Sequence, residues 1–318
     1  MSLPVKSALY DQYWKFSYLR QEIFTNRFIK QQKNITDDPI LQQYKFTNCY
    51  RSCDRVSQFL IKEVIYVDSS GEEDTFFRIL LFKLFNRIDT WKLLEKQLGD
   101  ISIEKFNINR IDQLISEYMQ EGNRAYSGAY IMPSGKREFG FEKKHLNNLH
   151  LLKLMLDKEL HKKMWQFTSL KDIYECFIAL PTIGPFLAYQ FAIDIAYSSY
   201  SNVSESEFVV AGPGAIRGIK KCFSDTHGWS NQDVIRYMTD IQEEEFSRLN
   251  LDFKYLKNRK LQLIDCQNLF CEVDKYCRVK FPEIIVGNTR IKQRYRPQSH
   301  AIDFFFPPKW KAGLPQLS

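Results

Sequence analysis

The chain has 318 residues, of which 44% are apolar and 15% aromatic, so it can bury a large core and is not a disordered tail. Its net charge of +7 favours acidic partners such as nucleic acid, although 45 basic and 38 acidic residues make the surface mixed. The sequence has no run of eighteen apolar residues, and residues 1–30 lack a signal-peptide core. We therefore expect a cytoplasmic protein with no membrane partner.

The seven cysteines are then expected to be thiols. The sequence contains no C-x-x-C pair, and Cys266, Cys271 and Cys277 are spaced by five and six residues, which suits packing better than tetrahedral zinc ligation. We predict buried thiols, no metal site, no cofactor and no obligate protein partner.

Helical periodicity dominates the chain, which predicts an all-α fold. Asp38-Pro39 is a helix-entrance signal, and Ser230 with Asp233 is typical of a capping box. Apolar residues cover almost the whole circumference of one predicted helix, where Lys83 and Asn86 are polar exceptions. The predicted helices are Tyr10–Lys30, Pro39–Val67, Asp74–Leu98, a helix from Ser230 through Phe246, and Arg259–Val279.

Two glycine-containing turns, about thirty residues apart, each lead directly into a segment of helical period. They read Leu180-Pro-Thr-Ile-Gly184 and Gly212-Pro-Gly214, and we expect Gly184 to adopt a backbone geometry closed to other residues. Each helix N-terminus would present N–H groups to phosphate oxygens. After the second turn, Arg217, Lys220 and Lys221 supply charge for a polyanion. The alternative is that the glycines only allow close helix packing.

Two further segments are candidates for lining a site for an extruded base. In Asn48–Arg55, Arg51 or Arg55 can meet a phosphate or an unusual base, the alternative being a surface ion pair. In the loop Asn123–Pro133, Tyr126 and Tyr130 either stack on a flipped base or cap a core.

Four polar residues recur at i, i+3, i+7 and i+10 along the predicted helix Arg259–Val279, which is otherwise largely apolar. Either this polar stripe faces water, or it lines a cavity where carboxylates hold substrate or a water. The four residues are Asp265, Asn268, Glu272 and Lys275.

The segment Arg290–Arg296 alternates strictly, so an extended conformation would present four cations, among them Arg294 and Arg296, on one side. Phosphate tracking is the functional interpretation, and a loosely ordered basic tail is the alternative. We expect the aromatic segment Ile302–Trp310 to dock on the protein.

The turn Leu180–Gly184 followed by Ala188 resembles the helix-hairpin-helix of DNA glycosylases, whose hairpin has the form L-P-G-[IV]-G-x-x-x-A. Asn86 lies near the usual glutamine of the strand-opening region in those proteins. Between about Tyr44 and Arg278 the chain more closely resembles the α-glutamyl/putrescinyl thymine pyrophosphorylase group, which includes the helical domain of hydroxymethyluracil DNA kinases. The segments that carry this resemblance are FTNCYRSCDR, FFRILLFKLFN, SGAY, LPTIGPFLAYQ, VVAGPGAIRGI and DCQNLFCEVDKY.

The resemblance implies a two-lobed helix-hairpin-helix glycosylase-like fold, with residues 75–214 in one lobe and residues 1–74 with 215–318 in the other. These families are linked to hypermodified pyrimidines in phage DNA, and a related branch resembles phage-defence glycosylases that remove glucosylated hydroxymethylcytosine. The expected function is therefore base flipping and N-glycosidic cleavage of a hypermodified pyrimidine in double-stranded DNA. The alternatives are a base-hypermodification enzyme and a non-catalytic DNA-binding module. The sequence has no P-loop motif, which argues against a complete kinase.

The sequence departs from ordinary glycosylases of this fold in two ways. Their catalytic Asp precedes the Arg of the next helix by about five residues, and that position counted back from Arg217 is Gly212. The four-cysteine ligand set of an iron–sulfur cluster is also missing. We expect the carboxylate to be Asp265 first and Asp194 second, with Glu272, Glu205 and Glu207 as further candidates and Asn268 beside them. The predicted base pocket comprises Asn48, Tyr50, Arg51, Asp54, Asn86, Tyr126, Tyr130, Tyr189 and Lys275.

Overall fold

The structure is a computed structural model that describes residues 2–33, 35–67, 71–130, 132–296 and 302–316. Its α-helices and strands, in chain order, are β1 (Val5–Lys6), α1 (Tyr10–Phe28), α2 (Pro39–Gln43), α3 (Arg55–Phe59), α4 (Glu72–Phe85), α5 (Ile88–Leu98), α6 (Ile108–Gln120), α7 (Lys136–Phe139), α8 (Lys144–Asp157), α9 (Leu160–Lys163), α10 (Leu170–Ile178), α11 (Pro185–Ala196), α12 (Pro213–Cys222), β2 (Phe223–Asp225), α13 (Asn231–Asp240), α14 (Gln242–Arg248) and α15 (Leu263–Lys280).

Short 3-10 helices lie at Arg51–Cys53, Met164–Gln166 and Pro308–Trp310, and a π-helix continues α3 over Leu60–Ile65. The strands β1 and β2 pair antiparallel in a two-stranded sheet. The prediction of an all-α fold is therefore confirmed. None of the helices in the described ranges has both the length and the apolar character that crossing a membrane requires.

The chain divides into two compact units. The first unit comprises residues 1–54 and 208–318, and the second comprises residues 55–207. The lobe expected at 75–214 and the second unit thus share residues 75–207.

Helix α15 is the centre of the first unit, where α1, α12 and α13 pack against it. Its approach to α12 is close because α12 carries glycines on the facing side. A Cβ atom at Gly218 would lie 2.1 Å from the carbonyl oxygen of Phe270, and one at Gly214 would lie 2.2 Å from the Sγ of Cys271. Such distances are far inside van der Waals contact, so a side chain at either position would push the helices apart. The alternative interpretation of the second glycine turn, close helix packing, is confirmed.

The C-terminal residues of the first unit dock on it. Phe304 packs its ring against those of Phe24 and Phe28, with centroids 5.3 and 5.1 Å apart. The guanidinium of Arg259 lies 3.6 Å from the ring centroid of Trp310, as in a cation–π contact. The expectation that the aromatic segment docks is therefore confirmed.

Three predicted helices are broken, and one of them, from Ser230 through Phe246, is divided into α13 and α14 at Ile241. The predicted helix Pro39–Val67 is wrong, because α2 ends at Gln43 and Asn48 and Asp54 bond to the backbone of the segment between them. Such local side-chain bonds compete with helix formation. The predicted helix 74–98 is two helices, because Asn86 ends α4 in the left-handed conformation with φ 49°.

In the second unit, α4 is buried on most sides and contacts α8, α9 and α11. Helices α10 and α11 pack against each other and are joined by a short turn, with the rings of Phe177 and Phe191 packed edge to face at 5.6 Å. The predicted capping box at the start of α13, in the first unit, is confirmed, since Ser230 and Asp233 exchange both capping bonds.

Candidate functional site

The turn between α10 and α11 is tight. The Leu180 N–H donates to the Phe177 carbonyl at 3.0 Å, and the Ala188 N–H donates to the Gly184 carbonyl at 3.0 Å. Gly184 has φ −85° and ψ 168°, an extended geometry that any residue adopts, so the prediction of a special backbone there is wrong. The unusual conformation lies instead at Thr182, with φ 67°. This is the position that glycine occupies in the L-P-G form of the hairpin. The left-handed residue of the turn is therefore Thr182.

The entrance of α11 is accessible. Gly184 and Pro185 are exposed, and a Cβ atom on Gly184 would meet nothing within 4 Å. The amides of a helix's first turn carry a partial positive charge and can bind a phosphate oxygen. Thr182 holds a left-handed conformation that costs a β-branched residue on the order of 1–3 kcal/mol, and such strain concentrates at functional sites. Gly184 is thus accessible at the entrance of α11, and its contact with DNA stays a prediction.

The entrance of α12 is different, because its cations face an internal carboxylate. Asp274 is fully buried, and its two oxygens lie 3.0 Å from the Nε of Arg217 and 3.1 Å from the Nζ of Lys221. Arg278 also pairs with Asp274. Lys221 is 3% exposed, so its ammonium is used inside the protein and its predicted role at DNA is corrected to a structural one. Lys220, by contrast, is exposed.

The glycines of this second turn are likewise structural. Gly214 packs on Cys271, and Gly212 is a buried N-cap residue with φ −72° and no special backbone geometry. In the tail, Arg294 and Arg296 are exposed. Arg294 pairs with Tyr44 in an antiparallel bridge and stacks its guanidinium on the Tyr44 ring. The tail is thus held at this point, and its contact with phosphate stays a prediction.

Asp265, the first choice for the catalytic carboxylate, caps backbone groups. One carboxylate oxygen accepts from the Arg51 N–H at 2.7 Å, and the other accepts from the Gln262 N–H at 3.0 Å. The residue is 2% exposed, and burial raises the pKa of its carboxyl. Because both oxygens are engaged at the start of α15, the structure gives Asp265 a structural role instead of a catalytic one.

The other members of the polar stripe contact the segment that precedes α3. The Lys275 ammonium lies 2.8 Å from the Glu272 carboxylate, which also accepts from the Thr47 N–H at 3.1 Å. Asn268 is buried, at 8% exposed. Tyr50 is buried too, and its hydroxyl donates to the Arg259 carbonyl at 2.8 Å. These contacts fix the segment 47–54 on α15.

Arg20, which sequence reasoning missed, joins this network. Its guanidinium donates to the Asn48 Oδ1 at 2.7 Å and to the Thr47 carbonyl at 2.8 Å. The Asn48 N–H in turn donates to the Asp54 carboxylate at 2.9 Å. No sequence signal marks Arg20, because it is a single cation on α1 and its partners lie 27 and 28 residues away in the chain.

Asp54 in this network has a carboxyl whose pKa is shifted towards neutrality. Burial raises the pKa of its carboxyl to about 7, against the lowering effects of the Asn48 N–H and of Arg20. Glu272 acts in the same direction as burial, because a second negative charge disfavours ionisation. A carboxyl with such a pKa can exchange a proton near pH 7.

A second cluster lies in the second unit, between α4 and α11. The Lys83 ammonium lies 2.8 Å from the Asp194 carboxylate, and both side chains are buried, at 2% and 0% exposed. The same ammonium lies 3.4 Å from the Asn86 Oδ1 and 4.7 Å from the ring centroid of Tyr130. Tyr130 stacks on Phe186 in the first turn of α11, with centroids 5.9 Å apart and planes 20° from parallel.

This cluster, which we call the Lys83 site, unites three predicted residues: Asp194, Asn86 and Tyr130. Sequence reasoning missed Lys83 and Phe186. A signal for Lys83 existed, since it is a cation within a helix that is apolar almost all round. Nothing in the sequence marks Phe186 except its place directly after the hairpin.

Tyr126 and Tyr189 serve the core instead. The Tyr126 hydroxyl donates to the Asn148 Oδ1 at 2.9 Å, its ring packs on Phe85, and burial raises its pKa above the ordinary range. Tyr189 is 0% exposed. The alternative that Tyr126 caps a core therefore fits the structure better than base stacking. Ile131, in the same loop as Tyr126, lies outside the described residues.

The geometry thus defines an all-α protein with an exposed helical hairpin beside a buried ion pair. The family model described as "5-hmdU DNA kinase, helical domain" matches residues 7–286, and the chain belongs to this family. A 5-hmdU DNA kinase of Bacillus phage SP10 is 27% identical over 289 residues, which cover 85% of this chain and 45% of that relative. The chain thus spans about half the length of that curated relative. No solved structure matches the chain.

The resemblance to the hydroxymethyluracil DNA kinase helical-domain group is confirmed by this family assignment. The helix-hairpin-helix glycosylase fold and N-glycosidic cleavage stay predictions.

Proposed function

We propose that this chain binds double-stranded DNA and receives an extruded pyrimidine that carries a 5-hydroxymethyl substituent, for chemistry at that substituent. The observation that carries the proposal is the Lys83 site, a buried ion pair beside the ring of Tyr130. Tyr130 in turn stacks on Phe186 in the first turn of α11. The family's description and the name of the phage relative both indicate the substrate class.

DNA binding is supported by the α10–α11 turn. Its exposed residues Gly184 and Pro185 leave the first amides of α11 open to a phosphate oxygen. The exposed cations Arg294 and Arg296 of the first unit, and the net charge of +7, favour a polyanion as well.

Base extrusion is supported by the aromatic residues of the Lys83 site. A base inside a duplex cannot be reached by a side chain that modifies it, and enzymes that act on bases take them out of the stack. Tyr130 and Phe186 are only half-buried, and their faces can take over the stacking that the base loses.

Chemistry at the substituent is favoured because the family's description names a kinase acting on this base. The matched residues are 45% of the phage relative, and this sequence contains no P-loop, so we assign the chain to recognition and positioning of the base. N-glycosidic cleavage is the second candidate. Asp194 favours it, since that reaction needs a carboxylate near the sugar.

The test uses a duplex with a single 5-hydroxymethyldeoxyuridine and a matched duplex with thymidine. We expect the protein to bind the first duplex more tightly and to leave both strands free of abasic sites, as measured by titration and by mass spectrometry of the digested DNA. Abasic sites that form only in the modified duplex would establish the second candidate. Equal affinity for the two duplexes would overturn the proposal.

A further inference from the structure

Resting on the proposed function, we propose that Lys83 and Asp194 are specificity-determining residues that select a neutral, hydroxyl-bearing substituent over a phosphorylated one. The ligand class is a pyrimidine whose 5-substituent ends in a free hydroxyl. The same pair then discriminates a hydroxymethyl base from its phosphate ester.

The pair is placed where stability alone does not explain it. Both side chains are within 2% of complete burial, and their charged atoms are 2.8 Å apart on two packed helices. Removing two charges from water costs several kcal/mol each, and apolar residues of similar size often serve stability equally well. A buried ion pair between α4 and α11 is therefore weak evidence of a stabilising role.

Tyr130 covers the pair in a way that permits opening. It is half-buried, and it has φ 53°, a conformation that bulky residues rarely adopt. A base between two rings needs about 7 Å, twice the stacking distance of about 3.4 Å. The rings of Tyr130 and Phe186 are stacked on each other with centroids 5.9 Å apart, so Tyr130 must move away from Phe186 before a base enters between them.

The charge of the site decides which substituent it accepts. The ammonium and the carboxylate sum to zero, so a hydroxyl can accept from Lys83 and donate to Asp194 without adding charge. A phosphate ester carries about −1.5 to −2 charges at pH 7 and would be desolvated beside the carboxylate of Asp194. Two neighbouring negative charges repel each other more strongly in a buried site than in water.

The experiment measures the affinity of the protein for three duplexes that differ at one base: 5-hydroxymethyldeoxyuridine, its phosphate monoester and thymidine. We expect the wild-type protein to bind the hydroxymethyl duplex about tenfold more tightly than the thymidine duplex, the factor of one net hydrogen bond. The phosphate monoester should bind most weakly of the three.

Two variants test the residues. The double variant Lys83→Met with Asp194→Leu should fold, retain the salt dependence of duplex binding and bind all three duplexes within about twofold. Asp194→Asn leaves a net charge of +1, so the phosphate monoester should now bind more tightly than the hydroxymethyl base. The control variant replaces the exposed pair Lys153 and Asp157 with Met and Leu. It should leave the order of affinities for the three duplexes unchanged.

Retention of the wild-type order by Asp194→Asn, or by a folded double variant, would overturn this inference and leave the proposed function standing. A wild-type protein that prefers the phosphate monoester would also overturn it. Equal wild-type affinity for all three duplexes would instead contradict the proposed function itself.

Discussion

Helices α11 and α12 begin in the same way, with a glycine N-cap followed by proline, and end up in opposite environments. At α11 the glycine is exposed and has open space around it. At α12 the glycines pack on α15, and Arg217 and Lys221 turn inward to Asp274. The same Gly-Pro signal therefore gives an exposed helix entrance in one unit and a packed helix entrance in the other.

The residues that follow each turn, and not the turn itself, determine whether the helix entrance is exposed or packed against another helix. Gly214 and Gly218 are four residues apart and share one helix face, which is the spacing of a close helix contact. Gly184 has Ala188 four residues later, so α11 lacks that second glycine.

The largest effect is expected where the α12 packing is filled. Gly218→Val would place side-chain atoms on the Phe270 carbonyl, and we expect a loss of about 4 kcal/mol in the free energy of unfolding, or no folding at all. Gly184→Val is the matched control at the α11 entrance, where open space predicts a change within about 0.5 kcal/mol. Urea unfolding of both variants checks this contrast. Similar losses of unfolding free energy in the two variants would show that the two helix entrances do not differ in packing.

The inward-facing cations give the next largest effect. Asp274→Ala leaves Lys221 and Arg278 buried without their carboxylate, which should lower the free energy of unfolding by about 3 kcal/mol. Lys220→Ala, on the same helix α12 but exposed, should change it by less than about 0.5 kcal/mol. If Asp274→Ala is as stable as Lys220→Ala in thermal unfolding, α12 is not held by this ion cluster.

A pH-dependent effect of intermediate size is expected at Asp54, whose environment differs from that of Asp274. The pKa of its carboxyl is about 7 in the folded protein and about 3.9 in an unfolded chain. Below pH 4 both states bind the proton, whereas between these values only the folded state keeps it. The contribution to stability is therefore present at low pH and is lost as pH rises through 7.

Asp54→Asn removes this titration and keeps an oxygen for the Asn48 N–H. We expect the variant to gain stability relative to the wild type as the pH rises from 4 to 8. Urea unfolding at both pH values gives this difference directly. A difference that does not change with pH would show that Asp54 titrates normally.

The smallest effect is expected at the α11 hairpin. Thr182→Gly relieves the left-handed conformation at φ 67° and should raise the free energy of unfolding by about 0.5–1 kcal/mol. The same substitution at Thr168, in the loop before α10 where no positive φ occurs, is the control and should lower stability slightly. If the Thr182→Gly variant is less stable than the wild type, the left-handed conformation of Thr182 is not a source of strain.

Much of the fold follows from the sequence, because periodicity and capping are local. The buried helix α4, the capping box of α13 and the docking of Phe304 were all open to prediction on those grounds. The break of the predicted helix Pro39–Val67 was not, since it depends on Asp54 and Asn48 closing a loop by side-chain bonds.

The candidate site was harder to predict, because the burial of a side chain and the identity of its partner depend on tertiary structure. Spacing marked Asp265, yet whether its carboxylate caps backbone or faces a cavity depends on Arg51, which is 214 residues away. Asp194 interrupts an apolar helix face and so required a partner, but the sequence does not say that the partner is Lys83.

We propose that DNA contacts the entrance of α11, and one substitution separates DNA contact from stability. Asp and Asn are both good N-cap residues, so Gly184→Asp and Gly184→Asn should fold as well as the wild type or better. Only Asp adds a negative charge where a phosphate is expected. We predict that Gly184→Asp binds duplex DNA about tenfold more weakly, with a shallower salt dependence, while Gly184→Asn stays close to the wild type. Equal affinities and equal salt slopes for all three proteins would contradict the claim.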